Sequence, residues 1–211
     1  VSLAAGASGF ALGLALITPI GAQNAYVLRT AVRSSRAAIA LVLLIVIVID
    51  VSLIAVGALG AGAFLDGRDW LRVLLLLGGI ALLAPLGIRT LREGVRGDAD
   101  YAELLEADAA AAPRQVVGPA LALSLLNPHV YLDTVAILGS AIAATAAANR
   151  LSFTVGAMVA STVWFIFLGV LGSVVLRRFG APVARAVDVI SGAIMLIVAT
   201  IFAIEALRLL L

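Results

Sequence analysis

Apolar residues run along this chain in long blocks separated by short polar clusters. Six such stretches can be delimited, at about 3–28, 37–64, 71–91, 115–148, 152–176 and 184–207. Each is long enough to supply the roughly 20 residues with which a helix crosses the hydrocarbon core of a bilayer. A segment in lipid must satisfy its own backbone hydrogen bonds, and none of these blocks shows the two-residue alternation of a barrel strand. The pattern predicts an all-α, polytopic membrane protein with about six transmembrane helices. The first stretch has no basic residue before it and outruns the hydrophobic region of a signal peptide, so it is expected to be a retained span.

Composition narrows the picture. The 211 residues are 64% hydrophobic and 12% charged, with mean hydropathy +1.20, against about 25% charged residues in a typical soluble domain. A water-soluble globule is excluded, and little chain is left for an extramembrane domain. There is no cysteine and only one histidine, His129, which excludes disulfides, thiolate metal sites and a multi-histidine centre. No metal, cofactor or catalytic residue is expected. All 14 basic residues are arginine, so lysine Schiff-base chemistry is excluded too. The net charge of +2 is too small and dispersed to suggest a nucleic-acid partner.

The arginines also orient the chain. With the N-terminus outside, ten of them fall on inner segments (Arg29, Arg33, Arg36; Arg89, Arg92, Arg96, Arg114; Arg177, Arg178, Arg185) and four on outer ones (Arg68, Arg72, Arg150, Arg208). If all six stretches span, the positive-inside rule places both termini outside; a re-entrant stretch would move one of them across.

One long polar loop, Arg92 to Arg114, carries Glu93, Asp98, Asp100, Glu103, Glu106 and Asp108. It divides the chain into a first three-helix unit (1–96), a cytoplasmic acidic linker (97–114) and a second three-helix unit (115–211). The linker reads as flexible or loosely helical, with a gating role as the alternative. Each half opens on a broken apolar segment, with Pro19 and Gly21 in the first and Pro128 in the second, and each second span carries a similar ending, Gly57-Ala58-Leu59-Gly60 and Gly169-Val170-Leu171-Gly172. Three spans per half would invert the second copy. Inverted repeats with interrupted helices in matching positions point to a midplane binding site in a secondary transporter.

Two acids fall in mid-span, Asp50 in the second stretch and Asp133 in the fourth. A carboxylate at the bilayer centre costs about 2.5–3.5 kcal/mol even on a lenient insertion scale, so it is expected to face a polar cavity or a partner. The plainer alternative is an acid hydrogen-bonded locally to a neighbouring helix. Helical spacing sets His129 and Asp133 on one face at i and i+4, with Asn127, Tyr131 and Thr134 beside them. In the first span, Gly21, Gln23 and Asn24 combine flexible backbone with two carboxamides, a set suited to the two ends of an amino acid. Gly9 and Gly13 form a G-x-x-x-G motif for close packing in the bundle, with a homodimer interface as the other use. Trp164 could cap a cationic ligand or simply pack.

At these residues the sequence resembles the LysE type family of lysine and arginine exporters. Leu126-Asn127-Pro128-His129-Val130-Tyr131-Leu132-Asp133 is similar to the family's L-N-P-x-x-Y-L-D segment, and Asp50 followed by Gly57-Ala58-Leu59-Gly60 to its aspartate and glycine-bearing turn. Ile20-Gly21-Ala22-Gln23-Asn24 is similar to its I-G-P-Q-N, with Ala22 in place of the proline. The resemblance implies export of basic amino acids across the bacterial inner membrane, driven by the membrane potential or the proton gradient.

The expected substrate-binding set is Asp50, Asp133, Asn127, Gln23, Asn24, Gly21, Tyr131 and Trp164, with Asp50 also the candidate for coupling to H+. A neutral amino acid, or a metabolite such as homoserine or threonine, is the alternative cargo. A membrane-embedded enzyme using His129 and Asp133 as base and orienter lacks a nucleophile or metal set. A purely structural subunit would leave the central acids unexplained.

Overall fold

The computed structural model describes residues 2–18, 21–60, 69–96, 112–127, 130–179 and 181–210, and all regular structure among them is helical. The first apolar stretch is two helices, α1 (Leu3–Ile17) and α2 (Ala22–Arg33), which meet at 83°. Next come α3 (Arg36–Ala58) and α4 (Asp69–Gly94). The fourth stretch is the most subdivided: a 3-10 turn (Pro113–Val116), α5 (Val117–Leu125), a π-helical segment (Tyr131–Leu138) and α6 (Gly139–Ala144). Two long helices, α7 (Arg150–Phe179) and α8 (Ala181–Leu210), complete the chain.

Among the described residues three helices are long and apolar enough to cross a membrane: Arg36–Ala58, Ala147–Val174 and Ala181–Leu210. The bent α1–α2 pair makes a fourth candidate. Pro19, Pro128, His129 and most of the acidic linker lie outside the described residues.

Local sequence explains the helix ends. Ser35 caps α3, its side chain accepting the Ala38 N–H at 3.2 Å. The α3 C-terminus closes on Gly60, whose φ of +89° and N–H bond to the Gly57 carbonyl form a left-handed cap that a residue with a Cβ adopts at a cost. The matching tetrapeptide from Gly169 to Gly172 departs from expectation, because α7 runs through it to Phe179. There both glycines are buried, and a Cβ added at either would meet α3 or α2, at Leu43 and Ala31 respectively.

Packing crosses between the halves. The α1–α2 pair lies on α7, while α5, the π segment and α6 lie on α3; α4 and α8 pair along their lengths, and α2 is wedged between α7 and α8. The α1–α7 seam has backbones in contact: a Cβ on Gly9 would come within 2.0 Å of the Phe153 carbonyl oxygen, and one on Gly156 within 2.0 Å of that of Gly6. The G-x-x-x-G face is therefore taken up by a helix of the same chain.

Gly9→Leu is expected to unseat α1 and cost about 1–3 kcal/mol, the range of core overpacking. Gly118→Ala, where added volume meets nothing within 4 Å, should be neutral or slightly stabilising, since alanine is the better helix former. Thermal midpoints of the two purified variants in detergent check the contrast in sign.

The main apolar core joins Tyr26, Val27, Val42, Val46, Leu76, Leu83, Phe165, Met195 and Phe202, and a second cluster around Ile54, Leu138, Ile142 and Phe153 fills the seam between α3, α6 and α7. Leu44, Val48, Ile197, Ile201 and Ile204 point outward and are exposed, the mark of helices whose solvent on that side is lipid.

Candidate functional site

The two helix breaks face one cavity of about 370 Å³, within the roughly 300–1,000 Å³ of small-molecule sites. Its polar lining comes from Gly21, Gln23 and Asn24 at the start of α2, Asp50 of α3, Asn127 at the second break, Asp133 and Thr134 of the π segment, and Ser161 of α7. Ile17, Ile54, Phe165 and Val198 contribute apolar wall. Six of the eight expected binding residues thus share one chamber.

Asp50 is buried, and one of its carboxylate oxygens, Oδ2, accepts the Ser161 hydroxyl. Asp133 and Asn127 are partly exposed at the opposite break. The α2 N-terminus, capped by Gly21 without a side-chain hydrogen bond, also opens on the chamber. The first-turn N–H groups and the positive end of the helix dipole make a helix start of this kind favourable for an anion.

The other two expected residues serve the breaks themselves. The Tyr131 hydroxyl donates to the Leu125 carbonyl at 2.8 Å, across the second break. Asn24 does the same at the first, its Nδ2 donating to the Ile17 carbonyl at 2.8 Å, while Trp164 Nε1 donates to Asn24 Oδ1 at 3.4 Å. A helix that stops within the membrane leaves carbonyls without intrahelical partners. Here a side chain six or seven residues further on caps one of them at each break.

Tyr131→Phe deletes only that hydroxyl. It is expected to cost about 0.5–1.5 kcal/mol, the net worth of one hydrogen bond, and to slow transport severalfold. Unfolding midpoint and initial export rate measure the two effects.

The segment after Pro128 differs from its α-helical reading. Tyr131–Leu138 is π-helical, and His129 is outside the described residues, so the expected His129–Asp133 face lies outside them too. Single π turns are common at functional sites. In this chain the wider coil lies where Gly57 presses on the Thr134 carbonyl and Val135, with Gly139 packed on Gly57 one turn later.

A second charged cluster was not anticipated. Arg29 and Arg33, read as loop arginines, sit in α2, and Glu93, read as part of the acidic loop, sits in the last turn of α4. Arg33 Nη1 donates to Glu93 Oε2 at 2.6 Å and to Asp188 Oδ2 of α8 at 2.8 Å. Arg29 reaches the same two acids at 2.5 and 3.2 Å, and Arg89 Nε donates to Glu93 Oε1 at 2.8 Å. Asp188 is completely buried, and Arg33 and Glu93 nearly so. Ser161 was also missed, although a Ser-Thr pair inside an apolar helix, three and four residues before Trp164 and Phe165, was a legible signal.

A helical bundle with membrane-length apolar helices and two helix breaks around a polar, acid-bearing chamber has the form of a membrane transporter. Comparison with known proteins makes this specific. Residues 14–206 match the family model described as LysE type translocator, and the chain belongs to that family. It is 40% identical over 190 residues to a putative amino-acid transporter, YggA, of Aeromonas salmonicida, covering 89% of this chain and 90% of the relative. It is 34% identical over 193 residues to the arginine exporter protein ArgO of Salmonella paratyphi A, covering 90% and 89%. No solved structure matches it. The protein is an amino-acid exporter of the LysE family and a multi-pass membrane protein.

Proposed function

We propose that this chain exports basic L-amino acids, arginine and/or lysine, across the bacterial inner membrane by secondary transport, driven by the membrane potential or the proton gradient. The observation that carries the reading is the composition of the chamber, where two carboxylates, Asp50 and Asp133, share a cavity with the N-terminus of α2. A basic amino acid offers a side-chain cation for the acids and an α-carboxylate for the helix N–H groups, so both ends of the solute meet complementary charge. Gln23 and Asn127 supply further hydrogen bonds. The relative named as an arginine exporter supports the same cargo.

The architecture behind this reading is two inverted three-helix repeats and six crossings, with both termini outside. Its support is the exchange in packing: each half's broken helix lies on the second helix of the other half, and the third helices of the two halves, α4 and α8, pair with each other. That is the pattern of a pseudo-twofold axis in the membrane plane.

The test is efflux of labelled arginine, lysine, citrulline and threonine from loaded proteoliposomes under an imposed potential or pH gradient. Arginine or lysine is expected to leave at least about tenfold faster than its neutral counterpart, a difference of roughly 1.4 kcal/mol. Equal rates for arginine and citrulline would reassign the chamber to a neutral amino acid.

A further inference from the structure

We propose that the Arg29–Arg33–Glu93–Asp188 cluster is a latch that closes one mouth of the transport chamber and must open in every cycle. The proposal takes the chamber as the transport site, but it does not depend on which amino acid is carried.

Its geometry fits a closure. Asn24, at the chamber, precedes Arg29 and Arg33 by five and nine residues, about 7.5 and 13.5 Å along a helix rising 1.5 Å per residue. The cluster therefore lies beyond the chamber along α2, at the arginine-rich end of the bundle. The path between is packed shut, because Tyr26, Val27, Thr30, Ala31 and Val32 are all buried. Above the cluster, the Tyr26 hydroxyl donates to the Val116 carbonyl at 3.3 Å, and Ser191 to the Ala25 carbonyl at 3.3 Å.

The chemistry fits an opening element better than a permanent joint. A buried ion pair contributes little net stability over well-packed apolar residues, because desolvation consumes most of the Coulomb gain. Two arginines and two acids held dry between helices are thus an expensive way only to glue them. What the arrangement provides is two discrete states, since each guanidinium is either held against Glu93 and Asp188 or released to water.

The latch also joins the two halves, with α2 and α4 on one side and α8 on the other. Backbone-close glycine seams occur at both ends of the bundle: Gly9 against Phe153 and Gly57 against Gly139 at the far end, and Gly94 against Val189 and Gly192 against Leu91 beside the latch. Contacts of that kind have no charge to hydrate when parted. Separation of the halves at the arginine-rich end requires Arg33 to leave Asp188.

The absence of cysteine makes single-cysteine labelling clean. Val130→Cys reports on the chamber, which Val130 lines, and Ser34→Cys, in the turn after α2, marks the latch face. An impermeant maleimide is applied to that face of proteoliposomes carrying Val130→Cys alone or with Asp188→Asn or Glu93→Gln. The expected result is a labelling rate raised about tenfold or more by either latch substitution, as a population shift of that size requires, with labelling at Ser34→Cys unchanged. Because accessibility is read without any substrate, an error in the assigned cargo leaves this result intact. Glu93→Gln serves if Asp188→Asn does not yield monodisperse protein. Labelling at the parent rate in folded variants, an increase confined to the opposite face, or failure of both variants to fold would overturn the latch and leave the cluster as a structural joint.

Discussion

Asp133→Asn is expected to erase most of the preference for arginine over citrulline. The substitution keeps the size of the side chain and an acceptor oxygen, so the π segment and its contact with Gly57 stay in place. What disappears is the charge at the chamber wall. A hydrogen bond to a charged group is worth about 1.5–3 kcal/mol, against about 0.5–1.5 for a neutral one. The difference corresponds to a fall in selectivity on the order of tenfold. Citrulline is the control because its neutral urea nearly matches the guanidinium in shape, so its own rate should change little. Competition efflux with both labelled solutes in the same vesicles gives the ratio directly. A ratio equal to that of the parent protein would remove Asp133 from cation recognition and leave the role to Asp50.

Most of what the sequence reveals here is what lipid demands. The long apolar runs of α3 and α8 were legible because a spanning helix needs uninterrupted hydrocarbon. The first break was legible because Gly21 and its neighbouring proline interrupt such a run. The chamber acids stood out because an isolated charge in mid-span needs a reason. Where the reading failed, long-range partners decided the outcome. The first stretch was expected to end near residue 28, yet α2 continues to Arg33, whose partners Glu93 and Asp188 are 60 and 155 residues away. Asp188 lies near the start of the sixth apolar stretch, and nothing local in the sequence says that two arginines meet it there. The π-helical segment Tyr131–Leu138 likewise packs on Gly57 of another helix. Asn24 and Tyr131 are expected from the sequence to bind solute, and the structure shows each donating to a carbonyl at a helix break; sequence alone does not separate a group that touches solute from one that caps a helix end.

Asp50→Asn is expected to abolish uphill export while leaving the fold and slow substrate exchange intact. Asp50 is the more enclosed of the two chamber acids, and α7 meets it directly through Ser161. An asparagine in its place still presents an oxygen to the Ser161 hydroxyl, so the α3–α7 contact survives. It cannot carry a proton or a charge. If the carboxyl group trades a proton for the incoming cation, the net charge moved per solute depends on that one side chain, and so does the response to a pH gradient. Removing it should lower export driven by potential or by pH gradient about a hundredfold, roughly 2.7 kcal/mol at 1.36 kcal/mol per tenfold. Exchange of labelled for unlabelled solute moves no net charge and should persist at a reduced rate. Ser161→Ala separates the charge from its anchor: it keeps the carboxyl group and removes the hydroxyl, so uphill export should drop only severalfold and keep its dependence on both gradients. Full uphill export by Asp50→Asn, with the parent's response to the pH gradient, would make Asp50 a structural partner of Ser161 and shift the coupling role to Asp133.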